Sequence, residues 1–355
     1  MNKRIDVLQK TLAPDTAALI LSETNRRYYT GFPASDGLLW VTADEACLLT
    51  DFRYIEAAKN EARDVPTQES AQFLADAFSI LSGKGIRQVL IEDEAVTVSD
   101  LTRIRDAAKG IEVIGSSALC KQIWSQRRRK DEDELALMRQ AQALTDDGFA
   151  YILPRLTVGR TEREIALDLE FYMRQQGAEG VAFDFIVASG ENGSKPHAVP
   201  GDRRLQTGDF VTLDFGALVD GYRSDMTRTV AIGAVSDEQK QVYEIVKNAQ
   251  AACLAGLRPG MTGEEGDRLA RAVIEEAGYG KAFGHSTGHG VGLDIHEKPR
   301  LSSRAAKLLQ AGEIVTVEPG IYLEGRFGVR IEDMVLLTED GIEDFTRSPR
   351  DLIFV

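Results

Sequence analysis

Along the first third of the chain, short apolar runs alternate with stretches in which apolar residues recur every three or four positions. The runs at 17–21, 38–41, 46–50 and 89–91 predict strands, and the spacing over 53–62, 71–81 and 99–108 predicts helices. This pattern describes a smaller α/β domain over residues 1–125. From Asp131 the order changes to two helices followed by strands, and that order then occurs again. Asp131-x-x-Glu134 and Thr161-x-x-Glu164 have the spacing of capping boxes, the second helix ending near Gly177. Strands are predicted at 183–188, 210–215 and 227–232. Ser236-x-x-Gln239 and Thr262-x-x-Glu265 open two more helices, the latter ending near Gly278, and strands return at 314–317 and 329–337. The second caps even match in sequence, Gly159-Arg160-Thr161-x-x-Glu164 against Gly260-Met261-Thr262-x-x-Glu265. The reading is an α+β chain whose second domain, 126–355, carries an internal duplication. A fortuitous recurrence of capping boxes produces the same pattern.

Composition narrows the partners. The 355 residues carry a net charge of −14, which repels nucleic acid and anionic membranes rather than attracting them. The single basic run, Arg127-Arg128-Arg129-Lys130, is followed at once by Asp131-Glu132-Asp133-Glu134, and this reads as a solvated, charge-compensated linker. Cys47, Cys120 and Cys253 are scattered and odd in number, so a disulfide framework or thiolate zinc site is not expected and a reducing compartment is. No signal-peptide core or membrane-length apolar stretch stands out, and the expected location is the cytoplasm.

The chemistry concentrates in the second domain. All four histidines, His197, His285, His289 and His296, lie in one window with Asp214, Asp225, Glu318 and Glu332, each acid sitting in an apolar, strand-like run. A carboxylate buried in such a run is costly unless it is paired or bound to a cation. Four of them with one imidazole would make a two-metal hydrolytic centre. Taken singly, each acid also fits a surface salt bridge. Asp220-Gly221 is a two-residue hairpin signal that sets Asp214 opposite Thr227 and Asp225 opposite Gly216. The two acids are then diagonal neighbours on one face, about 7–8 Å apart at Cα. Glu318 and Glu332 flank a second turn at 324–328, and Arg330 shares the face of Glu332, where it would hold a carboxylate from behind. His289 sits in Gly288-His289-Gly290-Val291-Gly292, whose glycines let the backbone pass close to the site.

These residues resemble a known family. Leu213-Asp214-Phe215-Gly216-Ala217, Ser224-Asp225-Met226-Thr227-Arg228-Thr229, Gly288-His289-Gly290-Val291-Gly292, Val317-Glu318-Pro319-Gly320 and Val329-Arg330-Ile331-Glu332-Asp333 are similar to the proline-specific "pita-bread" metallopeptidases, Xaa-Pro dipeptidase (prolidase) and Xaa-Pro aminopeptidase. Tyr29-Thr30-Gly31-Phe32 and Ser35-Asp36-Gly37 resemble the creatinase-type N-terminal domain of that family. The resemblance implies two divalent metal ions, Mn²⁺ first with Co²⁺ or Zn²⁺ as alternatives. Asp214 would bind one, His289 and Glu318 the other, with Asp225 and Glu332 bridging. It implies that His197, His285 and His296 act on substrate, that Glu318 also shuttles a proton, and that Arg300 takes a substrate carboxylate. Arg300 equally fits an ordinary surface residue. The implied substrates are short proline-containing peptides and the implied assembly is a homodimer. One departure is Ala198, where Pro-His-Gly is usual; it touches the pocket wall and no ligand. A metal-free amidinohydrolase and a non-enzymatic binding relative are the alternatives, and the intact ligand set argues against both.

Overall fold

The apolar runs of the first third become one six-stranded sheet in the computed structural model, which describes residues 3–355. Its strands are β1 (Thr16–Ile20), β2 (Leu38–Val41), β3 (Ala46–Thr50), β4 (Thr67–Glu69), β5 (Gln88–Ile91) and β6 (Glu112–Gly115), in the order β4-β3-β2-β1-β5-β6. β1 is buried at every position because it runs mid-sheet, antiparallel to β2 and parallel to β5. Helices α3 (Ile55–Glu61), α4 (Phe73–Gly83) and α5 (Val98–Ala107) fall where the periodicity places them, with α1 (Lys3–Gln9), α2 (Glu23–Thr30) and α6 (Ser117–Arg128) in addition. α2 escapes a hydropathy reading because the residues it buries are Arg26, Tyr28, Tyr29 and Thr30. Buried Arg26 donates from its two terminal nitrogens to the carbonyls of Leu21, Ala34 and Ser35.

The chain divides at Arg127/Arg128 into two units. The basic-acidic run there is not the solvated linker expected. Arg127 closes α6 at 3% exposure, and Lys130 is buried against Glu297 at 3.0 Å. Arg128 pairs with Glu313. Asp131 caps the next helix, and buried Glu134 accepts from Tyr222 at 2.7 Å. Buried cations need close partners, and here those partners lie far along the chain.

The second unit is built twice over. Helices α7 (Glu132–Ile152), α8 (Glu162–Gln175), α9 (Asp237–Gly256) and α10 (Gly263–Glu276) all open with the expected capping boxes, both reciprocal bonds formed in each. Such a cap stabilises a helix by about 1 kcal/mol. One core packs β-strand residues Val211, Leu213 and Phe215 with Phe149, Ile165 and Leu169 of α7 and α8. A second packs Val315, Val317 and Val335 with Val246, Ala270 and Ile274 of α9 and α10.

Each half also contains one long, interrupted hairpin, over residues 210–231 in the first and 314–337 in the second. The strands are β7 (Gly180–Val181), β8 (Ile186–Ser189), β9 (Phe210–Phe215), β10 (Ala217–Val219), β11 (Tyr222–Arg223) and β12 (Met226–Ala231), then β13 (Gly288–Gly290), β14 (Glu297–Leu301), β15 (Ile314–Val317), β16 (Gly320–Leu323), β17 (Phe327–Arg330), β18 (Asp333–Leu337) and β19 (Ile342–Asp344). Asp220 and Gly221 both take positive φ, 43° and 83°, as a two-residue hairpin turn requires. The predicted register holds on both sides of the interruption: Val219 pairs with Tyr222, and Thr227 pairs with Asp214. Pairing lapses only where Gly216 faces Ser224-Asp225, and a Cβ on Gly216 would lie 1.9 Å from the Ser224 carbonyl oxygen. The second hairpin repeats this, with Gly320 opposite Arg330 and Val317 opposite Asp333 around a lapse at Glu318-Pro319 and Ile331-Glu332. The single strand expected over 329–337 is therefore two. The break frees the Glu332 N–H to reach the Thr227 carbonyl (3.0 Å), tying one half to the other. Among the described residues, no helix is long and apolar enough to cross a membrane.

Candidate active site

The two lapses in the hairpins set the geometry of the site. Asp225 immediately precedes β12 and Glu332 immediately precedes β18, so the two halves deliver one acid each from matching places. Asp214 and Glu318 lie two residues apart in their relation to β9 and β15, a shift that keeps both on the inner face. His289 comes from β13, a strand made of Gly-His-Gly. A Cβ on Gly288 would meet the Thr316 carbonyl oxygen at 1.9 Å, and one on Gly290 would meet that of Lys298 at 2.4 Å. Glycine alone allows the histidine's backbone to thread between its neighbours.

Ligand atoms of Asp225, His289 and Glu332 lie within 4.8 Å of one another, all three residues buried. The His289 Nε2 stands 3.6 Å from Asp225 Oδ2 and 3.4 Å from Glu318 Oε1. Its Nδ1 faces the Gly290 carbonyl at 3.1 Å, and a carbonyl can only accept, so Nδ1 carries the proton. Burial above all, with the nearby His296 and Arg300, lowers this imidazole to about 3. A neutral ring thus turns a lone pair toward two carboxylates, a repulsive arrangement unless a proton or a metal cation stands between them.

The carboxylates make the same case. Burial first, then the charges of Asp214 and Glu318, hold Asp225 well above the usual range. Burial and the charges of Asp225, Glu318 and Asp214 do the same to Glu332, and burial lifts Glu318 to about 8. The Oδ1 of Asp214 is buried with no hydrogen-bond partner among the described residues. Among the described residues, Arg330 is the one cation bonded to a carboxylate of the cluster, through Asp214 Oδ2 at 2.6 Å. One positive charge against four acids leaves the site short of cation, and oxygen donors with one imidazole are the donor set of hard or borderline divalent metals. The residues fit a divalent metal.

Neighbouring hydroxyls orient the acids. Thr227 donates to Glu332 Oε2 at 2.6 Å and accepts from Arg330 Nε at 3.0 Å. Thr316 donates to Glu318 at 3.3 Å and accepts from the His289 N–H at 3.1 Å. Tyr322 accepts from Arg330 at 2.7 Å and faces His285 Nε2 at 2.9 Å. With Nδ1 of His285 on the Ser286 carbonyl (2.8 Å), the Tyr322 hydroxyl supplies the proton of that second contact. Burial, followed by the charge of Arg330, lowers His285 to about 4. Arg330 thus holds Asp214, not the nearer-in-sequence Glu332, and reaches Glu332 only through Thr227.

All ten residues singled out from the sequence line a single cavity of about 640 Å³. His197, His296 and Arg300 are exposed at its wall, and the His296 ring meets His289 edge-on at 4.5 Å. Phe183, Phe185, Ile186 and Val199 give the same cavity an apolar side. Tyr322, Thr227 and Thr316 were not singled out. Thr227 had a signal, since the predicted register puts it opposite Asp214; Tyr322 shares the alternating face of Glu318.

Comparison with known proteins agrees with this geometry. Residues 136–339 match metallopeptidase family M24, and residues 4–125 match the creatinase/prolidase N-terminal domain. An uncharacterized peptidase of Bacillus subtilis, YqhT, is 42% identical over 95% of each chain. The structure of an Xaa-Pro dipeptidase from Bacillus anthracis superposes with a TM-score of 0.95 at 39% identity, covering 99% of both chains. An X-Pro aminopeptidase from Thermotoga maritima gives 0.92 at 38%, over 98% of this chain and all of the other (100%).

Proposed function

The chain belongs to metallopeptidase family M24, and from that premise we propose that it is a prolidase-like enzyme using two divalent metal ions to hydrolyse the bond before proline in short peptides. The observation that carries this reading is the His289 lone pair aimed at Asp225 and Glu318, beside an unpartnered Asp214 oxygen. Asp214 would hold one metal, His289 and Glu318 the other, and Asp225 and Glu332 both. When bound, the ions would acidify a water and polarise the scissile carbonyl. Mn²⁺ is the proposed metal, since the donors are mostly carboxylate.

The chain's own groups do the rest. Arg330 and Thr227 fix Asp214 and Glu332, so that little reorganisation is needed during reaction. Glu318 takes the proton of the attacking water on a carboxylate oxygen and passes it to the departing proline nitrogen. His197 and His296, open to the cavity, donate to the substrate, and His285 acts from its place on Tyr322. The apolar side receives the proline ring. Domain limits of 1–125 and 126–355 are part of this reading, as is a cytoplasmic location, supported by three buried cysteines that are all free.

Dipeptidase and aminopeptidase activity differ in where the substrate's negative end lies. Arg300 lines the cavity, and its side chain has no hydrogen-bond or ion-pair partner among the described residues, leaving its planar fork for a carboxylate. In Mn²⁺-supplemented assays an Xaa-Pro dipeptide should outperform an Xaa-Pro-Xaa tripeptide, and Arg300→Lys should reduce dipeptide turnover far more than tripeptide turnover. Equal losses, or none, would dismiss the clamp and favour the aminopeptidase reading.

A further inference from the structure

Glu162, the first residue of α8, is fully buried at 0% exposure and has no part in the chemistry above. A carboxylate in that position must be satisfied by donors. Every donor comes from one segment. Oε1 accepts from the Ser189 N–H (2.7 Å), the Ser189 hydroxyl (2.7 Å) and Asn192 Nδ2 (3.2 Å); Oε2 accepts from the Gly201 N–H (3.1 Å) and Asn192 Nδ2 (3.2 Å). A single side chain therefore clips the start and the end of the loop 189–201 together. The middle of that loop supplies Pro196, His197 and Val199 to the cavity wall.

The loop's far side is seated just as closely. A Cβ on Gly328 would lie 2.1 Å from the Gly193 carbonyl oxygen, Gly325 donates to Ser194 at 3.3 Å, and Arg330 donates to the Pro196 carbonyl at 3.3 Å. The His197 ring itself has no hydrogen-bond partner among the described residues, so its position is the position of its loop. The second half uses the same device with other residues. Asp267 of α10, 1% exposed, accepts from the Thr287 N–H (3.0 Å) and hydroxyl (2.8 Å) and pairs with Arg271, which donates to the carbonyls of Phe283 and His285 (3.0 and 2.7 Å). In each half, a buried carboxylate on the second helix holds a histidine-bearing segment.

We infer that Glu162 is a positioning residue that sets His197 at the cavity wall by clipping the loop 189–201 at its base. The inference rests on the peptidase reading and on His197 meeting the substrate. A displacement of about 1 Å in a group of this kind costs on the order of 100-fold in rate.

The test is a double-mutant cycle with Glu162→Gln and His197→Ala, read by kcat/KM on an Xaa-Pro dipeptide, by Mn²⁺ affinity and by hydrogen exchange of the loop. Glu162→Gln alone should lose about 10- to 100-fold and speed exchange across 190–201, with Mn²⁺ affinity unchanged and 283–287 as protected as before. In the His197→Ala background the same change should add less than about 3-fold, because groups acting as one unit are not additive. Equal losses in both backgrounds, or unchanged exchange of the loop, would overturn the inference. Asn192→Ala, which removes only one donor, must show the same pattern more weakly and decides the matter if Glu162→Gln does not fold. Failure of the parental protein to turn over any Xaa-Pro peptide would refute the peptidase reading instead, while the exchange comparison still decides the clip.

Discussion

Asp225 and Glu332 bring carboxylate oxygens within 4.8 Å of each other and of the same imidazole. Burial first, and the charges of neighbouring acids after it, hold both well above the usual carboxylate range in the absence of a cation. Replacing either by its amide, Asp225→Asn or Glu332→Gln, should therefore abolish tight metal binding and turnover while leaving the melting temperature of the metal-free protein at or above the parental value. Metal content near that of the parent would remove the substituted residue from the site. These acids were legible in the sequence because a charge inside an apolar strand demands an explanation. Tyr322, Thr316 and Glu162 were not, since a hydroxyl in a strand and a glutamate in a first helical turn are ordinary, and only the fold shows what they touch.

Elements were legible where a local rule fixed them. The Asp220-Gly221 turn set the register that pairs Asp214 with Thr227, and four capping motifs located four helix starts. Ser236→Ala should accordingly cost about 1 kcal/mol, seen as a fall of roughly 2–4 °C in melting temperature, with no change in metal affinity; an unaltered melt would mean that the Ser236–Gln239 box carries no stability. Elements defined by distant partners stayed hidden. β13 is a strand of glycines around one histidine, which no strand propensity signals; it exists by pairing with β14 and β15, whose Lys298 and Thr316 carbonyls leave room only for glycine. The charged run at 127–134 looked solvated because Glu297, Glu313 and Tyr222 are more than a hundred positions away in most cases and invisible to a local reading.

For the whole molecule, the two duplicated halves close around a site whose acids strain the fold until a cation arrives. Burial raises Glu318 from an ordinary 4.5 to about 8 in the metal-free protein. A group raised in this way contributes stability that is complete below its unfolded value and is lost as pH rises through its folded one. The metal-free protein should thus lose stability between about pH 4.5 and 8, whereas metal binding needs the ionised acids and strengthens over the same window. The gap in melting temperature between metal-loaded and metal-free protein should widen steadily across it, and a constant gap would contradict the coupling. A homodimer, which the family resemblance implies, would sediment at twice the chain mass. The most direct measurement is Xaa-Pro dipeptide turnover by protein stripped with a chelator and then titrated with Mn²⁺, metal content being measured in parallel. Turnover should vanish on stripping and return as two ions bind per chain. Undiminished turnover in chelator, with no metal bound, would show that this site does not work as a metallopeptidase.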